Sequence, residues 1–154
     1  MTATHTSTAA TVHVSAVAIL RDAPGAVGGL EVLTVRKQGT ALFQYPGGKP
    51  EAGESARDTA VREIEEETGL TIDADALTGV GSFSAVAANE PDTTVVADLF
   101  AVAAPDDAVL PAAEIAEAVW LPLGTTTHTP DDPSHSMAPL MFETFPRIAA
   151  HCRA

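Results

Sequence analysis

The alternation of apolar and polar side chains predicts five β-strands along this chain. Residues 12–20 alternate at first and then become mostly apolar, which is typical of a strand whose far end is buried. Residues 30–36 alternate well, residues 94–103 give a clear strand pattern, and glycines interrupt the pattern in residues 77–86. A further strand is predicted around Trp120, within residues 114–123.

A helix is predicted over residues 55–68, and both of its ends are marked in the sequence. Ser55 is a suitable N-cap, and Asp58 three residues later can complete a capping box. Gly69 suits the left-handed position that follows the last helical turn. Four apolar residues of this segment lie on one face and can pack against a sheet: Ala56, Ala60, Val61 and Ile64.

A second helix is predicted over residues 136–150, because apolar residues recur there with helical spacing. Pro139 fits its first turn, whereas Pro146 is expected to kink or break it. The order of strands with one central and one terminal helix predicts an α/β domain, in which helices cover both faces of a mixed sheet. The apolar positions of this second helix are Met137, Leu140, Met141, Phe145 and Ile148.

Composition narrows the class of protein. The 154 residues favour one domain, which we place at residues 12–150 between a disordered tail at 1–11 and a short tail at 151–154. A net charge of −13 argues against a nucleic-acid polymer as partner, since few cations are available to neutralise its phosphates. No stretch approaches ~18 uninterrupted apolar residues, so no membrane span is predicted. The single cysteine, Cys152, cannot form an internal disulfide, which favours a cytoplasmic setting.

Three carboxylates share one face of the first helix. Glu63, Glu66 and Glu67 stand at positions i, i+3 and i+4, so their Cβ atoms are about 5–6 Å apart. Like charges at this spacing repel, and a hard divalent cation such as Mg²⁺ or Mn²⁺ would relieve the repulsion through its preference for oxygen ligands. The helix therefore presents either an acidic solvated face or a metal site.

The surrounding residues resemble a known family motif. Counted from Gly48, five residues lead to Glu54, seven more lead to Arg62-Glu63, and Ile64, Glu66-Glu67 and Gly69-Leu70 follow at fixed places. This is the pattern G-x5-E-x7-R-E-U-x-E-E-x-G-U, with U aliphatic, and it matches the Nudix box without a departure. The resemblance implies an α/β/α sandwich and a hydrolase, with Mg²⁺ or Mn²⁺ as cofactor. A non-catalytic nucleotide-binding module of the same fold is the alternative of another class.

The resemblance also implies roles for individual residues. Glu63 is the usual candidate base, Arg62 orients the glutamates, and Glu54 supports the loop or a second metal. The carbonyl of Gly48 would join Glu63, Glu66 and Glu67 as a metal ligand. Many family members take a further acid from outside the box. Here Glu114 is our first choice, followed by Glu90 and then Asp98.

Three residues are candidates for substrate contacts. Arg36, at the end of a predicted strand, would lie over phosphates or be a solvated charge; Lys49 would bind phosphate or be an exposed loop residue. Tyr45 could stack on a base, although packing in the core is favoured.

The expected substrate is a nucleoside diphosphate linked to another moiety. A (d)NTP or oxidised (d)NTP, cleaved to the monophosphate and pyrophosphate, is placed before ADP-ribose or a nucleotide sugar. The base would be recognised by loops at 39–44, 87–93 and 124–133, and no rule translates these loops into a ligand. The resemblance allows a homodimer, which no sequence patch specifies.

Overall fold

The computed structural model describes residues 9–26, 29–88, 90–123 and 137–153. Two helices and a short 3₁₀ turn at Ala74–Ala76 accompany the strands: α1 is Ala56–Thr68 and α2 is Pro139–Arg153. The predicted loop at 124–133 and the first residues of both the N-terminal tail and the second helix lie outside the described residues. The strands are β1 (Ala10–Asp22), β2 (Leu30–Lys37), β3 (Phe43–Gln44), β4 (Gly47–Gly48), β5 (Thr78–Val86), β6 (Thr93–Ala103) and β7 (Ile115–Pro122).

The seven strands form one mixed sheet. Its main order is β3-β2-β1-β6-β5, and β4 pairs with β1 while β7 pairs with β2. The β1–β6 pair is parallel, and the others are antiparallel. Strand β1 pairs with β2 only near its end, and the short β4 pairs with it at Ser15 and Ala16. The two glycines of β4 therefore lie beside the middle of the sheet.

Each face of the sheet carries one helix. Val17 and Ile19 of β1 pack with Ile64 of α1, whereas the alternating positions of β1 pack with Met141 and Phe145 of α2. Because successive strand residues face opposite sides, the apolar run in β1 supplies both cores at once. The predicted α/β/α architecture is confirmed.

Several predicted boundaries need correction. Strand β1 begins at Ala10, because this end pairs in register with β6 at Thr93, so residues 10 and 11 are not part of a tail. Helix α2 continues to Arg153, beyond the predicted start of the C-terminal tail. The two-residue strands β3 and β4 were not predicted, since so short a segment has no measurable period. No helix in the described ranges is long and apolar enough to cross a membrane.

Helix α2 also runs through Pro146, so of the predicted kink or break the break does not occur. Pro146 lies on the exposed face, while Met141 and Ile148 are fully buried on the other side. Proline removes one backbone hydrogen bond, but on the exposed face water can satisfy the carbonyl that is left. The buried apolar face therefore maintains the helix.

We expect Pro146→Ala to stabilise the protein, because alanine restores the missing N–H without changing the core. The gain should be about 1–3 kcal/mol in the free energy of unfolding, measured by chemical denaturation. Pro139→Ala is the matched control, since the first position of a helix needs no N–H donor. Equal effects of the two substitutions would contradict this explanation.

Candidate active site

Both predicted ends of α1 are present in the structure. The Ser55 hydroxyl accepts a hydrogen bond from the Asp58 N–H at 3.1 Å, and the Asp58 carboxylate accepts one from the Ser55 N–H at 3.4 Å. Gly69 follows the helix with φ 73° and donates its N–H to the Glu65 carbonyl at 3.0 Å. These caps fix the start and phase of the helix and hence the direction of its acidic side chains.

The helix places its three acidic residues in different environments. Ile64 and Thr68 are buried against the sheet, and this orientation turns Glu67 inward, where its side chain is buried. Glu63 lies one turn earlier and is half-buried, whereas Glu66 is exposed. The structure thus brings Glu63 and Glu67 together and leaves Glu66 at the solvent side.

Arg62 binds both the loop before α1 and the acidic face of α1. Its Nε and Nη2 donate to the two carboxylate oxygens of Glu54 at 2.8 and 2.9 Å. Its Nη1 donates to Glu63 Oε1 at 3.0 Å and lies 3.3 Å from Glu66 Oε2, and Nη2 also reaches the Lys49 carbonyl at 3.1 Å. The hydrogen bonds from Arg62 lower the pKa of the Glu54 carboxyl to about 2. Glu54 is therefore ionised at neutral pH, and Arg62 holds both of its carboxylate oxygens.

Glu67 is the buried acid of the site. Its side chain is 5% exposed, and its Oε2 has no hydrogen-bond partner among the described residues. Burial, followed by the negative charge of Glu63, raises its pKa to about 8, against the opposing effects of the Lys37 charge and the Gly47 N–H. Burial also raises the pKa of Glu63, although the hydrogen bond from Arg62 opposes this. A buried carboxylate with an unsatisfied oxygen favours either a proton or a cation.

The two glycines of β4 bring the backbone against these acids. A Cβ at Gly48 would overlap the Glu63 carboxylate, and a Cβ at Gly47 would overlap the Ser15 carbonyl of β1. The Gly47 N–H also donates to Glu67. Close approach to the backbone thus requires glycine at position 47, whereas a side chain at position 48 would displace the Glu63 carboxylate.

We expect Gly48→Ala to lower activity strongly while the protein remains folded. The methyl group must displace the Glu63 side chain, which is flexible, rather than the backbone of the sheet. A loss of about tenfold to a hundredfold in kcat is expected, with little change in Tm. Gly53→Ala tests the glycine-rich loop without this contact, because nothing lies within 4 Å of a Cβ there. Gly53 has φ 81°, so that control reports backbone strain alone.

A cavity of about 590 Å³ opens in front of Glu63 and Glu67. Its volume is typical of a site for a small molecule. Lys37 and Lys49 line it without an ion pair to any described residue, and the charge of Lys37 acts on both Glu63 and Glu67. A depression of similar size on the outer side of α1 has no buried side chain in its lining. The rest of the main cavity is largely aliphatic, with Val12, Val14, Val86, Val95 and Leu140 among its lining.

Two of the predicted substrate contacts change with the structure. Arg36 does not line the cavity, because its Nε binds Glu117 at 2.9 Å and its Nη1 binds the Thr40 carbonyl at 2.8 Å. The neighbouring Lys37 lines the cavity instead, so it replaces Arg36 as the candidate for a phosphate contact from this strand end. Tyr45 is 4% exposed and packs in the core, as the favoured alternative expects, and it also forms part of the cavity lining. Its hydroxyl hydrogen-bonds the Thr144 hydroxyl at 2.8 Å.

The structure separates the three candidate acids outside the box. Glu114 and Glu90 both line the cavity, whereas Asp98 does not. Glu114 is close enough that its charge contributes to the raised pKa of Glu67. Glu114 and Glu90 therefore both stay candidates for the additional acid.

The donor atoms around Glu67 suit a hard divalent cation. The free Oε2 of Glu67 and the carboxylate of Glu63 are oxygen ligands, and the Gly48 backbone lies against Glu63. Within the described ranges, no three acidic or histidine side chains already converge on one point. Glu66 is turned toward Arg62, so only part of the expected ligand set is assembled.

A model of the NUDIX domain matches residues 11–140 of this chain. The chain belongs to the Nudix hydrolase family. An uncharacterized Nudix hydrolase, YvcI of Bacillus subtilis, is 45% identical over 53 residues, which is 34% of either chain. A putative 8-oxo-dGTP diphosphatase of the same organism is 44% identical over 50 residues, which is 32% of this chain and 34% of the relative. The matches thus span about a third of these relatives.

Solved Nudix structures share the fold. The NUDIX domain of Shewanella oneidensis NrtR, solved with ADP ribose, superposes with a TM-score of 0.70 at 15% identity. The superposition covers 93% of this chain and 89% of that domain. At this level of identity the similarity supports the fold alone. The prediction of a Nudix hydrolase, made from the box, is confirmed at the level of family and architecture.

Proposed function

We propose that this Nudix protein hydrolyses a diphosphate bond in a nucleoside diphosphate linked to another moiety. The observation that carries the proposal is the buried Glu67 oxygen without a partner, next to Glu63 and facing the cavity. A buried acid in such a position destabilises the fold unless it binds a proton or a cation. The intact box and the two free lysines beside it support a site for an anionic, phosphate-containing ligand.

Mg²⁺ or Mn²⁺, bound by Glu67, Glu63, Glu66 and the Gly48 carbonyl, would neutralise the diphosphate and lower the pKa of a bound water. The protein residues then have distinct tasks. Lys37 and Lys49 bind non-bridging phosphate oxygens, since neither ammonium is engaged in an ion pair with a described residue. Arg62 holds Glu63 by its Oε1 and leaves Oε2 without a hydrogen bond to the described residues.

Glu63 is the proposed general base. Its half-buried carboxyl, whose pKa is raised by burial, accepts the proton of the attacking water at Oε2. The water oxygen forms the new bond to phosphorus, and the bond from phosphorus to the bridging oxygen breaks. The leaving group, which is pyrophosphate or a phosphate monoester according to the substrate and the phosphorus attacked, departs with that oxygen and its electron pair. Glu114 is the additional acid that we assign to the site, because it lies within electrostatic reach of Glu67.

We place a (d)NTP or oxidised (d)NTP first among the substrates, with the monophosphate and pyrophosphate as products. The similarity to a putative 8-oxo-dGTP diphosphatase supports this order. ADP-ribose or a nucleotide sugar is the second candidate, supported by the fold shared with a domain solved with ADP ribose. The protein is further proposed to work in the cytoplasm, without a nucleic-acid or membrane partner, as a monomer or homodimer.

A substrate panel tests the proposal. The panel contains (d)NTPs, 8-oxo-dGTP, ADP-ribose, dinucleoside polyphosphates and UDP-sugars, each with Mg²⁺ and with Mn²⁺, and the products are identified. Release of pyrophosphate with a nucleoside monophosphate supports the first substrate class, and AMP with ribose 5-phosphate supports the second. Binding without turnover of any compound would favour the non-catalytic nucleotide-binding module.

A further inference from the structure

The residue before Glu114 has an unusual backbone conformation. Ala113 has φ 55°, and among the described residues Asp92, with φ 51°, is the only other non-glycine residue with positive φ. Asparagine, aspartate and glycine enter this region readily, whereas the Cβ of alanine makes it unfavourable. A strained residue persists only where its surroundings determine it, so Ala113 indicates a constraint at this point.

The constraint is a tight turn that begins strand β7. The Ile115 N–H donates to the Ala112 carbonyl at 3.1 Å, which makes Ala113 and Glu114 the two central residues. Only Ala113 of these two has positive φ. Glycine is the usual residue at such a position, yet this chain has alanine there.

The turn is tied to the catalytic helix on one side. The Ala112 N–H donates to the backbone carbonyl of Glu67 at 3.1 Å, and the Leu110 N–H donates to the Thr68 carbonyl at 2.9 Å. These bonds satisfy two of the carbonyls that the end of α1 leaves free. The segment that leads to Glu114 is therefore bonded to the same residue whose carboxylate is buried in the site.

The turn is tied to β2 on its other side. The Gln38 N–H donates to the Glu114 carbonyl at 2.7 Å, directly after Lys37, which lines the cavity. Glu114 is thus fixed between the end of α1 and the end of β2, although its own side chain is exposed. The backbone bonds therefore fix the starting point of a side chain that lines the cavity.

We propose that Ala113 is a positioning residue, which holds the exposed Glu114 carboxylate beside Glu67 by confining the turn to one backbone conformation. Alanine is confined to a small part of the positive-φ region, so the anchored turn has one geometry. Glycine would relieve the strain and allow the turn many more backbone conformations. The inference rests on the proposed function and on the role given there to Glu114.

The test compares Ala113→Gly with Asp92→Gly. Both changes put glycine at a positive-φ position, but Asp92 does not line the cavity. We expect Ala113→Gly to lower kcat about fivefold with little change in KM and Tm, since it disorders one acid of the site. Mn²⁺ affinity, measured by calorimetry without substrate, should fall as well. Asp92→Gly should leave kcat and Mn²⁺ affinity unchanged.

A double-mutant cycle separates positioning from a general effect on the fold. In a Glu114→Gln background, Ala113→Gly should have no further effect on kcat or Mn²⁺ affinity, because the carboxylate that it positions is gone. Equal effects of Ala113→Gly in both backgrounds, or an effect no larger than that of Asp92→Gly, would overturn the inference. If the wild type hydrolyses nothing in the panel, the proposed function fails, and Mn²⁺ affinity still decides whether Ala113 positions Glu114.

Discussion

Replacing Glu67 by glutamine is expected to reduce kcat by about 10²–10⁴-fold. A loss of this size corresponds to several kcal/mol of transition-state charge stabilisation. Glutamine keeps the size of the side chain and can still accept the Gly47 N–H through its carbonyl oxygen. It loses the negative charge that would hold a divalent cation. The fold should be retained, because the substitution leaves no hole in the core, and circular dichroism would check this.

The same substitution should stabilise the protein at alkaline pH when no divalent cation is present. Glu67 has a folded-state pKa of about 8, against 4.5 as the ordinary value. Between these values the folded protein holds a proton that the unfolded chain has released, so rising pH favours unfolding. The stability that the folded protein gains by keeping the Glu67 proton is fully present below pH 4.5 and is lost as pH rises through 8. A displacement of this size corresponds to roughly 3–5 kcal/mol in the free energy of unfolding.

Chemical denaturation in EDTA at pH 6, 8 and 9 measures this effect. The wild type should lose stability across the series, and Glu67→Gln should lose less, because glutamine does not ionise. Glu65→Gln is the matched control on the exposed side of α1, and it should change neither kcat nor the pH dependence. Full activity of Glu67→Gln, or the same pH dependence as the wild type, would contradict the assignment of Glu67 as the buried acid.

Helix α1 could be predicted because its determinants are local. Ser55, Asp58 and Gly69 specify where it begins and ends, and the spacing of its glutamates then follows from the helical repeat. The five longer strands could be predicted within two residues at each end, since their pattern reflects burial on the faces of the sheet. In both cases the deciding interactions lie within a few positions of each other.

Sequence position alone could not decide whether Arg36 or Lys37 lines the cavity. Lys37 follows Leu33 and Val35 at a two-residue period, and Leu33 packs in the core beneath α1, so Lys37 continues toward the acidic helix. The register also shifts between Arg36 and Lys37 where β2 meets β7. Arg36 instead binds Glu117, a partner 81 positions away. The strand period indicates the direction of Lys37, but the ion pair of Arg36 depends on the pairing of β2 with β7.

The site also depends on contacts that no motif encodes. The bonds from Leu110 and Ala112 to the end of α1 join segments that are distant in sequence, and they involve backbone atoms only. Tyr45 is buried because Thr144 of α2 lies beside it, which the sequence could not establish. Such contacts arise when the elements pack, so they had to come from the structure.

Replacing Arg62 should have the second-largest effect, because one guanidinium holds three carboxylates and a carbonyl. In Arg62→Lys the charge remains, but the paired hydrogen bonds to both oxygens of Glu54 are lost along with the fixed direction of the fork. Residues that orient metal ligands typically contribute about 10–100-fold in activity or metal affinity, and we expect a loss in kcat of that size. Arg62→Ala should lose more and should also lower Tm.

Arg62→Ala should lower Tm because Glu54 then loses the charged partner that stabilises its carboxylate. Its pKa of about 2 depends first on the hydrogen bonds from Arg62, so removal of Arg62 should raise it toward 4.5. A group with a lowered folded-state pKa stabilises the protein above its unfolded value, and this contribution is lost as pH falls. Wild type should therefore lose stability between pH 5 and 2 more steeply than Arg62→Ala. Arg57→Lys is the control, since that arginine donates to the carbonyls of Ala74 and Leu77 and lies over the Phe100 ring, with no ion pair to a carboxylate of the described residues. Unchanged kcat in Arg62→Lys would mean that charge alone, without the fork, orients Glu63 and Glu54.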